Sequence, residues 1–456
     1  PSMKKRNVHL ESYIRSVRSQ FEDQLAELVE TPSVSSDPNR AKDINRAATL
    51  ASQYLKKFGA QTRIVKTNGY PVVSGRWQVH KKYPTLTIYN HLDVQPAQEL
   101  EWRQEPFRFR KEGNRYCGRG TTDDKGPALT ALFAARYAID QGVPLNIQFL
   151  WELEEEIGSP NFQDALNQKK LVTRPDSVLI SDTIWVSRQK PAIPTGLRGL
   201  LSAQLSLRTG TTDVHSGLSG GGARNPLAEL CEAVHACVDA QTGRVKIPGF
   251  YDEVIQPSPQ DMKEFLSSGF DVNRFKKAFG FRAIRTEDRA QLMKRIWAAP
   301  TFEVHGLVGG YTGHGVKTIV PPSGQLKISM RLVPNQNPKK IFSQLKAFLK
   351  KHNPDIRLEC DGQLEPFRGV IGGPYAEALR KAVEVGFGKT PSFIREGGSI
   401  GAVKLMERAW NVPILFMGLS LPEHGYHAPN EFFDWDQASG GMRAFVKYFS
   451  LLASIP

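Results

Sequence analysis

Apolar residues recur at helical spacing near the start of the chain, at Leu10, Ile14, Val17, Phe21, Leu25 and Leu28. This spacing predicts a helix that Thr31-Pro32 stops. Short apolar runs and helical segments then alternate. Thr85–Tyr89 reads as a strand, and Lys125–Gln141 as an apolar helix with Pro127 in its first turn and Gly142 ending it. Leu145–Trp151 reads as a strand with Leu145, Ile147, Phe149 and Trp151 on one face. Ser177–Ile180 is another. Such alternation predicts an α/β sheet flanked by helices.

The pattern changes near residue 197. Leu201, Ala203, Leu205 and Leu207 alternate with polar residues, as do Leu326, Ile328, Met330 and Leu332. Both read as half-exposed strands. A helix follows Pro226, and another carries Ile341, Leu345, Phe348 and Leu349. Residues 243–300 read as amphipathic, charge-rich helix. From about residue 365 the first pattern resumes. The expected organisation is a first part over 1–198, an inserted smaller α+β unit over 199–364, and a return over 365–456.

Composition narrows the class. The 456 residues are 40% hydrophobic, enough to bury a large core. No apolar run reaches the ~18 residues of a membrane span, and the opening residues hold no apolar block, so neither membrane nor signal peptide is expected. Net charge is +14, but the positive residues are scattered. Lys4-Lys5-Arg6 and Lys350-Lys351 are the tightest clusters, and no nucleic-acid signature accompanies them. The charge reads as solvated surface that attracts anionic ligands. Cys117, Cys231, Cys237 and Cys360 form no disulfide framework, which suits a reducing, cytoplasmic setting.

Candidate chemistry gathers after the strands. His91-Leu-Asp93 follows the first, Glu152 to Glu156 the next, and Asp182 the third. Open α/β sheets bind ligands beyond the carboxyl ends of their strands. Asp123-Asp124 lies in a Gly-rich loop before the apolar helix, and a His424-Gly-Tyr-His427 loop can close the site. Each feature alone is ordinary: a turn acid, a helix cap, a solvated run. Together, histidines and carboxylates at one sheet edge suit zinc or manganese. One carboxylate bridging two ions, with another free to take a proton from water, describes a metallohydrolase.

The same residues carry a family resemblance. Tyr89-Asn-His91-Leu-Asp93-Val-Gln-Pro96 resembles the first metal motif of the carnosinase, glutamate carboxypeptidase, acetylornithine deacetylase and aminoacylase family. Tyr116-Cys-Gly-Arg-Gly-Thr-Thr-Asp123-Asp-Lys-Gly-Pro127 resembles the second, and Glu152-Leu-Glu-Glu155-Glu156-Ile-Gly-Ser159 the third. Ser181-Asp182 and His427-Ala-Pro-Asn-Glu431 resemble the fourth and fifth. The resemblance implies a catalytic domain with a mixed, mostly parallel sheet and an inserted lid or dimerisation domain. It implies two divalent ions per chain, zinc or manganese, with cobalt possible. His91 and Asp182 would hold one, Glu156 and His427 the other, and Asp123 would bridge them. Glu155 would be the general base, Asp93 would orient His91, and Asp123-Asp124 would be a cis peptide.

In the inserted part, Thr212-Asp213-Val-His215-Ser-Gly217 resembles a lid motif whose histidine polarises the scissile carbonyl in the partner subunit. Arg331 and the Glu396-Gly-Gly398-Ser399 loop resemble the residues that hold a substrate carboxylate, with Thr312 and Asn225 as further contacts. The long insertion over 243–300 resembles the dipeptidase branch. Two departures stand out: Leu153-Glu154 replaces a small and an apolar residue, adding a charge near the base, and Asp124 stands where asparagine is common. The expected protein is a homodimeric dipeptidase or short-peptide exopeptidase. An N-acyl amino acid deacylase using the same site is the alternative. A serine hydrolase on Gly397-Gly-Ser399-Ile-Gly401 is remote, because Lys389 to Glu396 reads as a poor central strand, and so is an inactive scaffold.

Overall fold

The computed structural model describes residues 2–455, with side chains from residue 9 onward, so the Lys4-Lys5-Arg6 side chains lie outside the described residues. A six-stranded sheet runs in the order Gln61–Val65, Val72–Trp77, Asn146–Glu152, Thr85–His91, Ser177–Ile180, Ile414–Phe416. Its last four strands are mutually parallel, and the first two pair antiparallel at one edge. The sheet is therefore mixed and mostly parallel, as the alternation of strands and helices predicts.

Both sheet faces are covered. On one, Leu86, Ile88, Ile147, Phe149 and Trp151 pack with the Gly126–Asp140 helix and the Trp435–Leu452 helix. On the other, Tyr89, Leu150, Val178 and Ile180 meet Phe162, Val403 and Met406. Burial on both faces explains why these strands read as near-continuous apolar runs. The Gly126–Asp140 helix is buried almost all round, lying between the sheet and the two terminal helices.

A second, antiparallel sheet has the order Glu303–Gly309, Ser323–Leu332, Gly199–Arg208, Arg357–Leu364. Leu201, Ala203, Leu205 and Leu207 alternate inward and pack with Leu326, Ile328, Met330 and Leu332 under the Pro226–Cys237 and Pro338–His352 helices. The chain leaves the first body through the Ala192–Leu197 strand and returns through Phe367–Arg368, which pairs with it at Leu197. Exit and return are hydrogen-bonded neighbours.

Residues 243–300 hold three helices, Pro259–Ser267, Val272–Phe279 and Arg289–Ala298. They pack on Trp185, Ala192, Ile394 and Leu421 rather than under the antiparallel sheet. The segment is inserted in sequence among the strands of one body yet buries its apolar face on the other. Among the described residues, no helix is long and apolar enough to cross a membrane.

Candidate active site

Three adjacent parallel strands bring the first residues together. Thr85–His91 lies between Asn146–Glu152 and Ser177–Ile180, so His91, the turn after Glu152 and Asp182 emerge side by side. Asp123 arrives from the loop before the Gly126–Asp140 helix. Gly120 in that loop has φ +89°, and a Cβ there would stand 2.6 Å from Val94 Cγ1. The Asp123-Asp124 peptide is cis, as the resemblance implies.

Asp123 faces a histidine with each oxygen. His91 Nε2 lies 2.9 Å from Oδ1, and His427 Nε2 lies 2.9 Å from Oδ2. His91 Nε2 is also 3.6 Å from Asp182 Oδ2 and 3.8 Å from Glu155 Oε2. His427 Nε2 is 3.2 Å from Glu156 Oε2. Two groups that share Asp123, His91–Asp123–Asp182 and Asp123–Glu156–His427, can each hold a metal ion, and a third, His91–Glu155–Glu156, overlaps both.

The donor chemistry fits cations. His91 Nδ1 lies 2.9 Å from the Asp93 carbonyl oxygen, which only accepts, so Nδ1 carries the proton. In the neutral ring Nε2 is then a bare lone pair pointed at three carboxylates. Asp123 Oδ2 and Glu156 Oε1 are buried and accept no hydrogen bond. Burial pushes the carboxyls of Glu155 and Asp182 up, with neighbouring negative charges adding to it against the pull of His91. Burial raises Glu156 to about 7, with Asp123 adding to the effect. Such crowding of like charge is what dications relieve.

Asp93 acts in two ways. Its carbonyl is the near partner of His91 Nδ1, while its carboxylate Oδ1 stands 3.4 Å from that nitrogen. The carboxylate accepts the backbone N–H groups of Glu155 at 3.2 Å and Glu156 at 3.0 Å, together with Ser35 Oγ at 2.7 Å. It thereby fixes the turn carrying both glutamates. Asp124 Oδ2 accepts from Asn90 Nδ2 at 2.8 Å and from the His91 N–H at 3.3 Å.

A cleft of about 800 Å³ opens over the cluster. Asp123, Glu155, Glu156, Asp182 and His427 line it, as do Arg331, Gly398 and Ser399. Arg331 Nη1 donates to Ser399 Oγ at 2.9 Å and has no carboxylate partner among the described residues. His215, Asn225 and Thr312 do not line the cleft of this chain. His215 is exposed, and its Nδ1 accepts the Gly217 N–H at 2.9 Å. Asn225 Oδ1 caps the Pro226–Cys237 helix through the Leu227 and Ala228 N–H groups.

Two expectations change. Glu154 does not line the cleft, and its carboxylate accepts the Tyr70 N–H at 2.8 Å and Asn161 Nδ2 at 3.0 Å. The charge expected near Glu155 is instead held by Tyr70 and Asn161 outside the cleft. Ser392–Glu396 is a strand after all, at the edge of a three-stranded sheet where Pro391 is tolerated, and a helix follows at Gly401. Ser399 is still no nucleophile of a triad. Its Oγ donates to the Arg198 carbonyl and accepts from Arg331, with no histidine bonded to it.

Several residues that stand inside the quoted motifs received no contact of their own from the sequence. Glu431 accepts the backbone N–H groups of Gly120 and Asp123, the latter at 3.1 Å, and its signal was its place at the end of the fifth motif. Gln95 Nε2 donates to Glu156 Oε2 at 2.7 Å. Tyr426 Oη donates to Asp182 Oδ1 at 2.5 Å. Glu396 lines the cleft with a buried Oε2 that accepts nothing, and burial raises its carboxyl to about 7. Each lies within a motif, but no spacing there shows which distant side chain it meets.

The fold and this cluster define a peptidase. Residues 87–450 match Peptidase family M20/M25/M40; the chain belongs to that family and is an enzyme that hydrolyses peptides. It is 27% identical to the Beta-Ala-His dipeptidase of Rattus norvegicus over 97% of this chain and 95% of that one. It is 29% identical to the Cys-Gly metallodipeptidase dug1 of Schizosaccharomyces pombe, over 96% of each chain. The crystal structure of the M20 family metallo-carboxypeptidase Sso-CP2 from Sulfolobus solfataricus superposes with a TM-score of 0.88 at 31% identity, over 94% of this chain and 98% of that one.

Proposed function

We propose that this chain is a dinuclear metal-dependent dipeptidase acting on short peptides with a free carboxylate and a free amine. One observation carries the reading. One cleft lies over the two-histidine carboxylate cluster and is lined by a cation without a carboxylate partner (Arg331) and a buried carboxylate oxygen without a donor (Glu396) among the described residues. The cation suits a C-terminal carboxylate, and the carboxylate suits an N-terminal ammonium. An N-acyl amino acid lacks the ammonium, which favours the dipeptidase over the deacylase. The relatives named as Beta-Ala-His dipeptidase and Cys-Gly metallodipeptidase support the same class.

His91 and Asp182 would hold one ion, Glu156 and His427 the other, with Asp123 between them. Zinc or manganese suits this donor set, and cobalt is a third choice. Two such ions supply Lewis-acid polarisation and lower the pKa of water. The chain's own groups do the rest. Arg331 and the Gly398-Ser399 loop anchor the substrate carboxylate. Glu155 takes the proton of the attacking water and delivers it to the leaving amine as the C–N bond breaks. Asp93 keeps Glu155 in place through its backbone N–H.

We assign residues 199–364 as the lid and dimerisation part, with the helices of 259–298 seated on the catalytic body. The outer strand Glu303–Gly309 exposes Val304, Leu307 and Val308, which supports pairing with a second copy. In that dimer His215, Thr312 and Asn225 would serve the partner's cleft. The neutral His215 ring carries its proton on Nε2, since Nδ1 accepts from Gly217, and so offers a donor to the scissile carbonyl. Four free cysteines suit a cytoplasmic setting.

The test is a substrate panel on metal-loaded protein. Unblocked dipeptides should be cleaved, and acetylating the amine should lower kcat/KM. Faster cleavage of N-acyl amino acids would replace this reading with the deacylase.

A further inference from the structure

The loop that delivers His427 also presents Tyr426. Its backbone is tight, with Gly425 at φ +74°, His427 at φ +54° and Asn430 at φ +60°. It is pinned from outside, where Arg119 Nη1 donates to the Ala428 carbonyl at 3.1 Å and Asn430 Nδ2 to the Glu101 carbonyl at 3.0 Å. The Ala428 N–H closes the turn on the Gly425 carbonyl at 2.9 Å.

Within this rigid turn, Tyr426 touches both halves of the cluster. Its Oη donates to Asp182 Oδ1 at 2.5 Å. Asp182 Oδ2 then remains as the oxygen that faces His91 Nε2, at 3.6 Å. The Tyr426 ring stacks on the His427 ring, with centroids 5.5 Å apart and planes 19° from parallel. Consecutive side chains in extended backbone point to opposite sides. The left-handed turn at His427 brings the two rings into one stack. Asp182 and His427 belong to different ligand groups, and Asp123 is the only residue those groups share.

We propose that Tyr426 is a positioning residue that organises both metal sites, its hydroxyl fixing Asp182 and its ring fixing His427. The inference rests on the dinuclear reading above. Carboxylate and imidazole ligands need outer partners to hold their orientation, and losing one costs affinity for the ion. Here one side chain supplies both, by two different contacts that separate variants remove.

Calorimetric titration of metal-stripped protein with Zn²⁺ tests this. Wild type should take two ions per chain. Tyr426→Phe keeps the stack and loses the hydroxyl, so one ion should weaken by ~10- to 100-fold while the other is unchanged. Tyr426→Leu should weaken both. Asp182→Asn should weaken the same ion as Tyr426→Phe, and the double variant should lose little more than Asp182→Asn alone. Two ions bound by Tyr426→Phe with wild-type affinity would overturn the proposal, as would equal weakening of both ions in that variant. Because Tyr426→Phe preserves the ring, it decides the hydroxyl contact even if Tyr426→Leu fails to fold, and a folded Tyr426→Leu that weakens no more than Tyr426→Phe would overturn the ring contact. No ion bound by folded wild type would instead sink the dinuclear reading itself.

Discussion

Arg331 Nη1 donates to Ser399 Oγ at 2.9 Å, joining a strand of the antiparallel sheet to the loop after Ser392–Glu396. Ser399 Oγ in turn donates to the Arg198 carbonyl, so its hydroxyl is committed in both directions. The pair presents a fixed guanidinium to the cleft. Arg331→Lys keeps the charge and loses the planar fork that matches a carboxylate. A charge-assisted hydrogen bond contributes about 1.5–3 kcal/mol, so KM for a dipeptide should rise ~10- to 100-fold with kcat less affected. Steady-state kinetics on one dipeptide checks this, and an unchanged KM would remove Arg331 from substrate binding. Ser399→Ala should retain turnover, which a serine nucleophile could not.

Glu155 lines the cleft 3.8 Å from His91 Nε2, and its turn is held by Asp93. Glu155→Gln keeps the shape and removes the basic oxygen. Turnover should fall by ~10²- to 10⁴-fold, the usual contribution of a positioned acid–base group. Metal content, read by atomic absorption, should stay at the wild-type value. Activity near wild type would assign the proton transfer to another group.

Most of the clustered side chains were legible because His91, Asp123, Glu156 and Asp182 sit just after a strand or just before a helix, where local pattern fixes position, whereas His427 lies in a loop and was read from its motif. His91 and Asp182 needed only the strands before them. What holds these residues was not legible, because it comes from far along the chain. Glu431 reaches Asp123 across 308 residues, and Tyr426 reaches Asp182 across 244. No periodicity encodes such contacts. The packing of the helices of 259–298 was hidden for a related reason. Their amphipathic pattern shows that a face is buried, but not that Trp185 and Ile394 bury it. Ser392–Glu396 reads as polar because an edge strand need not be apolar on both faces.

His424 gives a pH-dependent prediction outside the cluster. The ring is buried; Nδ1 accepts the Leu421 N–H at 3.1 Å, and Nε2 lies 2.9 Å from Asp434 Oδ2. The neutral ring with its proton on Nε2 satisfies both contacts. Burial holds its pKa below the usual histidine value, against the pull of Asp434. Below ~6.5 the unfolded chain therefore binds more protons than the folded one, so stability falls as pH drops through that range. Burial would raise Asp434, but the bonds from His424 and Arg188 bring it to about 2. Its contribution is present above the unfolded value of ~3.9 and is lost as pH falls toward about 2. Thermal unfolding from pH 8 to pH 5 should show a declining Tm in wild type and a smaller decline in His424→Gln. Equal slopes would mean that His424 does not set this dependence.

His215 separates a one-chain site from a shared one. It is exposed, absent from the cleft of its own chain, and its Nε2–H is free to donate. If it serves the partner's cleft, His215→Ala should lower kcat by ~10²- to 10³-fold, the loss seen when one oxyanion donor is removed. Glu155→Gln should be inactive for a different reason, located in the catalytic body. Mixing the two inactive chains and allowing exchange then becomes decisive. Half of the dimers would be mixed, and each would hold one cleft with an intact Glu155 facing an intact His215. Activity should recover to about a quarter of wild type, as expected for random pairing across a two-fold interface. No recovery, with exchange shown by a tag on one chain, would place His215 on its own cleft through lid closure or outside the reaction.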